Sequence, residues 1–234
     1  MRTALITGAT GGLGSELARG LDSRGYRVIV HYFKNSIKAE ALLRELKNSP
    51  IPFQADLSRA EDVKKALPFI KGSIDSLDLI INNASITKDS LMLRLSEEDW
   101  DRVISVNLTG AFNIVKTFTP LMVSSGGGHI INITSLSGLR GRPGQAAYSA
   151  SKAALVGFSL SLARELSVYN IKVNSLIPGY LPTGMGLRAE RAMEKAREES
   201  LLKRLSNPSA VVEFVDFLVR QDITGQTFSI ETRI

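Results

Sequence analysis

Two short runs, Val28-Ile29-Val30 and Leu79-Ile80-Ile81, are apolar at every position rather than at alternate ones. A strand of this kind is buried on both faces, as in a parallel sheet covered by helices on each side. Strands are predicted over Thr3–Thr7, Arg27–Tyr32, Ile51–Ala55, Leu77–Asn82, His129–Thr134, Lys172–Ile177 and Gln226–Ile230. Longer helical patterns lie between them. Ser58-Arg59-Ala60-Glu61 and Ser96-Glu97-Glu98-Asp99 read as capping boxes at helix starts. Asn207-Pro208 supplies a cap and a first-turn proline ahead of a helix over Ser209–Arg220. Strand and helix alternate about six times, with no linker or repeat between them. The expectation is one α/β domain over residues 1–234.

The first strand runs into Thr7-Gly8-Ala9-Thr10-Gly11-Gly12-Leu13-Gly14, and a helical stretch follows from Ser15 to about Arg24. Glycines allow the tight turn and let backbone N–H groups approach a pyrophosphate, while the helix N-terminus adds a favourable field. No Gly-Lys-Ser/Thr follows, so this is not a nucleoside-triphosphate P-loop. The pattern points to dinucleotide binding on a doubly wound, Rossmann-type parallel sheet of about seven strands with helices on both faces. NAD binding calls for an acid at the end of the second strand, to hold the ribose hydroxyls. Here the strand ends His31-Tyr32-Phe33-Lys34. Lys34 would neutralise a 2′-phosphate, which favours NADP over NAD; its alternative is an ordinary exposed lysine.

Composition removes most other chemistries. The chain has no cysteine and two histidines, His31 and His129, both in or beside apolar runs. Disulfides, thiolate nucleophiles and cysteine-ligated zinc are excluded, and no histidine–carboxylate metal cluster is expected. No G-x-S-x-G elbow supports serine hydrolysis. Lys and Arg number 29 against 23 Asp and Glu, a net charge of +6. Acids interleave with the basic stretches, as in Arg188-Ala189-Glu190-Arg191, which suits a solvated helix face better than nucleic-acid binding. No run approaches the roughly 18 apolar residues of a membrane span. Met1-Arg2 leads straight into the first strand, so a cytoplasmic protein is expected.

Tyr148-Ser149-Ala150-Ser151-Lys152 opens a helical pattern that continues to about Val168. Tyrosine and lysine four apart share a helix face. A nearby ammonium would lower the phenol pKa, tuning it to exchange a proton with a carbonyl oxygen. The strand His129–Thr134 delivers Ser135 at its C-terminal end, where ligands of open α/β sheets sit. Asn107, in a helical stretch, is a candidate holder of a relay water.

Together the glycine segment, Asn82-Asn83-Ala84, Asn107, Ser135, Tyr148-x-x-x-Lys152 and Pro178-Gly179 resemble the short-chain dehydrogenase/reductase family, over nearly the whole chain. The length and Asn82-Asn83-Ala84 favour its single-domain branch. The resemblance implies a catalytic tetrad of Asn107, Ser135, Tyr148 and Lys152. In it Tyr148 is the general acid/base, Ser135 polarises the carbonyl, and Lys152 binds nicotinamide ribose. It also implies cofactor contacts from Gly8, Thr10, Gly12, Leu13, Gly14, Asp56 (to adenine), Leu57, Asn83, Ala84, Pro178, Gly179, Leu181 and Thr183. Asp56 has a second reading, as a cap for the next helix.

Asn82–Asp89, Gln145–Tyr148, Ser161–Glu165 and Thr224–Thr227 are most similar to the 3-oxoacyl-acyl-carrier-protein reductases. That implies NADPH-dependent reduction of a 3-oxoacyl thioester on a carrier protein or CoA, by a homotetramer or a dimer. Arg140, Arg142 and Gln145 are the candidate substrate residues. A sugar, steroid-like or xenobiotic ketone is the alternative substrate, and a nucleotide-bound scaffold the alternative class. Ser85 stands where those reductases carry glycine, and the C-terminus, Phe228–Ile234, lacks their Asn/Asp-Gly-Gly.

Overall fold

The computed structural model describes residues 1–184, 186–188 and 190–233. Seven strands form one parallel sheet: β1 (Thr3–Ile6), β2 (Arg27–Tyr32), β3 (Ile51–Gln54), β4 (Leu79–Asn82), β5 (Gly128–Ile133), β6 (Ile171–Ile177) and β7 (Thr227–Ser229). Their spatial order is β3-β2-β1-β4-β5-β6-β7. Each predicted strand is present; β2 has the predicted bounds, β6 begins one residue earlier, and the others are shortened or shifted by one or two residues. Leu77 is buried but lies outside β4, because Asp78 already takes the Thr3 N–H on its carboxylate at 2.7 Å. Pro52, which has no N–H to give a second neighbour, lies in the edge strand β3.

Alternation along the strands divides the core in two. Ala4, Ile6, Val28, Val30, Leu79 and Ile81 point to one face, against Leu17 and Leu21 of α1 (Gly12–Asp22), Leu42 of α2 (Ser36–Glu45) and Val211, Val215 and Leu218 of α9 (Pro208–Leu218). Leu5, Ile29, Ile80 and Ile130 point to the other. There they meet Val63 and Ile70 of α3 (Ala60–Ser73), Ile114 and Phe118 of α5 (Gly110–Ser124) and Leu162 of α7 (Ala146–Leu166). Burying each large aliphatic side chain contributes about 1.5–3 kcal/mol, so both layers hold the strands. The remaining helices are α4 (Glu97–Ile104), α6 (Leu136–Arg140) and α8 (Glu190–Glu199). Among the described residues no helix is long and apolar enough to cross a membrane.

Two of the three predicted caps form: Ser96 accepts from the Asp99 N–H, and Asn207 from the Ser209 N–H. The third does not. Helix α3 starts at Ala60 with Arg59 before it and no side-chain cap, because the Ser58 hydroxyl donates to Asp56 Oδ1 at 2.6 Å instead. Helix α1 starts at Gly12, three residues earlier than predicted, and α9 ends at Leu218. After β7 the chain makes an antiparallel bridge between Arg233 and Ser200, supported by Leu201 N–H donating to Thr232 O at 2.9 Å. The departure in the C-terminal sequence thus ties the segment after α8 to the chain beyond β7.

Candidate active site

The C-terminal ends of β1, β4, β5 and β6 converge at the point where the sheet order reverses, between β1 and β4. The loop between β1 and α1 is built for close approach. Gly8 has φ +62, and a Cβ there would lie 2.9 Å from Ala84 Cα. A Cβ on Gly14 would lie 2.2 Å from Gly8 O, and one on Gly12 would meet Gly184 N and Thr183 at 2.6 Å. Helix α1 carries no side-chain cap and no acid in its first turn, so its N-terminus keeps its positive end open to an anion. Thr10 and Leu13 are partly buried in this loop.

Three residues brace the loop. Thr7 Oγ1 accepts the N–H groups of Asn83 and Ala84, each at 2.9 Å, and Asn83 Nδ2 donates back to Thr7 O at 2.9 Å. His31 does more than fill the core. Its Nδ1 accepts the Gly8 N–H at 2.9 Å, its Nε2 meets Ala55 O at 3.1 Å, and its own carbonyl accepts the Ala9 N–H at 2.9 Å. Accepting at Nδ1 requires the neutral ring. Burial supplies that, pulling His31 down to about 4.

At the far end of the cleft Lys34 is exposed, its Nζ 5.2 Å from the Phe33 ring centroid. Asp56 closes its own turn, accepting from Ser58 N at 3.1 Å, with Arg102 Nη1 3.5 Å away. Burial works against the charged form, but the Ser58 hydrogen bonds and Arg102 prevail and hold the carboxyl below its ordinary value. A surface cleft of about 420 Å³ opens here, lined by Phe33, Ala55, Asp56 and Lys65 among others. Leu57 is buried, its carbonyl accepting from Asn113 Nδ2 at 2.8 Å. Arg102 gave no sequence signal as a site residue.

Ser135 follows β5 and caps α6, accepting the Ser137 N–H at 3.2 Å. Tyr148 and Lys152 share a face of α7, and Lys152 Nζ lies 5.7 Å from the Tyr148 ring centroid. Lys152 is only 1% exposed and donates to Ile133 O at 2.8 Å. Burial lowers it to about 7. Burial raises the Tyr148 phenol above its ordinary value, as does the charge of Asp89, and the opposing groups are the Ser135 and Ser85 hydroxyls rather than Lys152. Ser85, the departure from glycine, therefore brings a second hydroxyl to the phenol.

Asn107 sits in a π-helical turn, Ser105–Thr109, between α4 and α5. Both ends of its side-chain amide are bonded to protein. Oδ1 accepts the Ile86 N–H at 2.8 Å, and Nδ2 donates to Ile86 O and Ser151 Oγ, each at 3.0 Å. Ser151 in turn donates to Tyr148 O at 2.7 Å. Asn107 thus holds the segment after β4 against the first turn of α7.

Two lips flank this group. Gln145 Nε2 donates to Asp89 Oδ2 at 3.0 Å, and Gln145 Oε1 accepts from Ser137 Oγ at 3.0 Å. Arg140 is exposed and Arg142 partly buried, its charge acting on Tyr180 together with that of Arg233. Gly179 (φ +76) packs on Ser206, Leu181 packs on the core, and Thr183 crosses Gly12. All the predicted site residues lie within the described chain.

The family described as short chain dehydrogenase matches residues 2–194. The 3-oxoacyl-[acyl-carrier-protein] reductase FabG of Staphylococcus epidermidis is 37% identical over 236 residues, covering 98% of this chain and 97% of the relative. The 3-oxoacyl-[acyl-carrier-protein] reductase of Synechocystis sp. is 37% identical over 239 residues, 98% of this chain and 95% of the relative. Nodulation protein G of Rhizobium sp. (strain N33) is 38% identical over 236 residues, again 98% and 95%. With its sheet order, glycine loop and Tyr148–Lys152 helix, the chain belongs to the short-chain dehydrogenase family of oxidoreductases.

Proposed function

We propose that the protein reduces the ketone of a 3-oxoacyl thioester, carried on acyl carrier protein or CoA, to the 3-hydroxyacyl form with NADPH. The ketone chemistry rests on the Tyr148 phenol, which interacts with the Ser135 hydroxyl one helical turn from the buried Lys152, and the thioester substrate on the likeness to the two 3-oxoacyl-[acyl-carrier-protein] reductases. The uncapped α1 terminus and its bare glycines fit a dinucleotide pyrophosphate, because any Cβ at Gly12 or Gly14 would strike backbone. Gly8, Thr10, Gly12, Leu13 and Gly14 would hold the phosphates. Asn83, Ala84, Pro178, Gly179, Leu181 and Thr183 would line the nicotinamide half, and Asp56 and Leu57 the adenine. Lys34 would take the 2′-phosphate.

When bound, the cofactor supplies a hydride. Everything else falls to side chains. Ser135 accepts the Ser137 N–H and its hydroxyl meets the Tyr148 phenol, so it is placed to donate to a ketone oxygen bound beside that phenol and polarise it. Tyr148 donates its proton to that oxygen as the carbon is reduced. Its raised phenol stays protonated at neutral pH, as a proton donor must. Lys152, near 7, exchanges a proton close to working pH and would hold the nicotinamide ribose. Arg140 and Arg142 supply positive charge beside the mouth for a pantetheine phosphate or an acidic carrier.

The test is NADPH oxidation with acetoacetyl-CoA, repeated with NADH. Tyr148→Phe should lower kcat by about 10²–10⁴-fold. Lys34→Ala should weaken NADPH about tenfold and leave NADH unchanged, since an exposed charge-assisted contact is worth about 1.4 kcal/mol. Unchanged turnover in Tyr148→Phe refutes the mechanism. Bound cofactor with acetoacetyl-CoA untouched removes the thioester assignment.

A further inference from the structure

Gln145, expected to contact substrate, has both ends of its amide committed to protein. It is the residue before α7, where Ser, Thr, Asn or Asp would ordinarily cap the helix, yet its side chain makes no cap. Instead it reaches across the cleft mouth. On one side lies Asp89, in the segment after β4; on the other lies Ser137, in α6. Asp89 is prepared for this contact: Thr87 Oγ1 donates to its other oxygen, and neighbouring Lys88 turns to Asp99 at 3.2 Å. Among the described residues no cation pairs with Asp89. Its second oxygen thus meets the amide of Gln145 in a charge-assisted bond.

The chain ends at the reacting group. Asp89 holds Gln145 Nε2, Gln145 Oε1 holds the Ser137 hydroxyl, and the Ser137 N–H donates to Ser135 Oγ. That last bond fixes the position of Ser135 Oγ, the atom that also meets the Tyr148 phenol. Without Asp89, the lips still share Ser90 N–H to Gly144 O at 2.8 Å. That bond does not reach Ser135.

We propose that Asp89 is a positioning residue for ketone reduction, acting through Gln145 and Ser137 to fix the direction of the Ser135 hydroxyl. The proposal rests on the reading of Ser135 and Tyr148 given above. It predicts that Asp89→Ala lowers kcat for acetoacetyl-CoA about tenfold with NADPH affinity unchanged. Asp89→Asn keeps an acceptor for Gln145 and removes only the charge felt by Tyr148, so its kcat should stay within about threefold of wild type while its pH profile of alcohol oxidation shifts downward. In a Ser135→Ala background Asp89→Ala should cost nothing further, because interacting residues are not additive.

A second arm needs no turnover. Hydrogen exchange of the segment 135–145 should be about tenfold faster in Asp89→Ala and normal in Asp89→Asn, with residues 150–166 unchanged in both. Wild-type exchange and kcat in Asp89→Ala, or a full additional loss on Ser135→Ala, overturns the proposal. Wild-type turnover in Ser135→Ala and Tyr148→Phe overturns the catalytic reading instead. The exchange arm then still decides whether Asp89 holds the lip.

Discussion

Replacing Lys152 by Met should make the cofactor-free protein more stable at neutral pH while removing its activity. The lysine is 1% exposed, its ammonium lowered from 10.5 to about 7 by burial. The unfolded chain keeps that proton up to its ordinary value, the folded chain only to about 7. Between these pH values the unfolded state binds more protons, so stability rises with pH. At about 1.4 kcal/mol per tenfold, the penalty at pH 7 is about 4 kcal/mol. Methionine fills a similar volume without charge, but abandons the Ile133 carbonyl, at about 1–3 kcal/mol. The net gain at pH 7 is then about 1–3 kcal/mol, or about 3–8 °C in Tm for a chain of this size. By pH 10 the penalty has shrunk to about 1 kcal/mol and the orphaned carbonyl dominates, so the difference should vanish or reverse. Thermal unfolding of both proteins without cofactor, from pH 6 to 10, reads this directly. A variant less stable at pH 7, or a Tm difference independent of pH, refutes the reasoning.

His31→Phe removes the acceptor of the Gly8 N–H and should weaken cofactor binding about tenfold, from an unmade bond of about 1–3 kcal/mol; titration calorimetry measures it. Because burial holds His31 near 4 against an ordinary 6.5, the wild type should lose stability as pH falls from about 6.5 towards 4, and His31→Phe should lose less. Ser85→Gly takes one hydroxyl from the Tyr148 phenol and should raise its pKa, shifting the pH profile of alcohol oxidation upward. An unchanged profile means that Ser85 does not act on the phenol.

What could be read from the sequence was local. Runs such as Leu79-Ile80-Ile81 disclose a doubly covered strand, and glycine spacing discloses the phosphate loop, because adjacent residues alone set those patterns. Tyr148 and Lys152 fall together because one helix carries both. Interactions across the fold were not readable. His31 meets Gly8 and Asn107 meets Ile86 through the pairing and packing of separate elements, while Asp89 meets Gln145 across 56 residues. The balance at Tyr148 is of the same kind. Spacing places the charges, but the depth at which α7 is buried decides which ionisation prevails. Ser58 misled because a short polar side chain can satisfy Asp56 as readily as a helix end.

The position of β1 in the sheet also bears on how the molecule is assembled during synthesis. β1 pairs with β2 soon after it emerges, but its other neighbour, β4, begins at Leu79. Until then Leu5 and Ile6 have an unpaired edge, and Thr7 lacks the Asn83 and Ala84 amides that fix the glycine loop. The nascent β1–β2–β3 portion thus presents an apolar parallel edge to its surroundings, the kind of surface on which chains associate wrongly. His31 of β2 can already brace Gly8 and Ala9, but the side of the loop that faces Asn83 and Ala84 waits for β4. Slow translation shortly before residue 79 would prolong that exposure and lower the yield of folded protein.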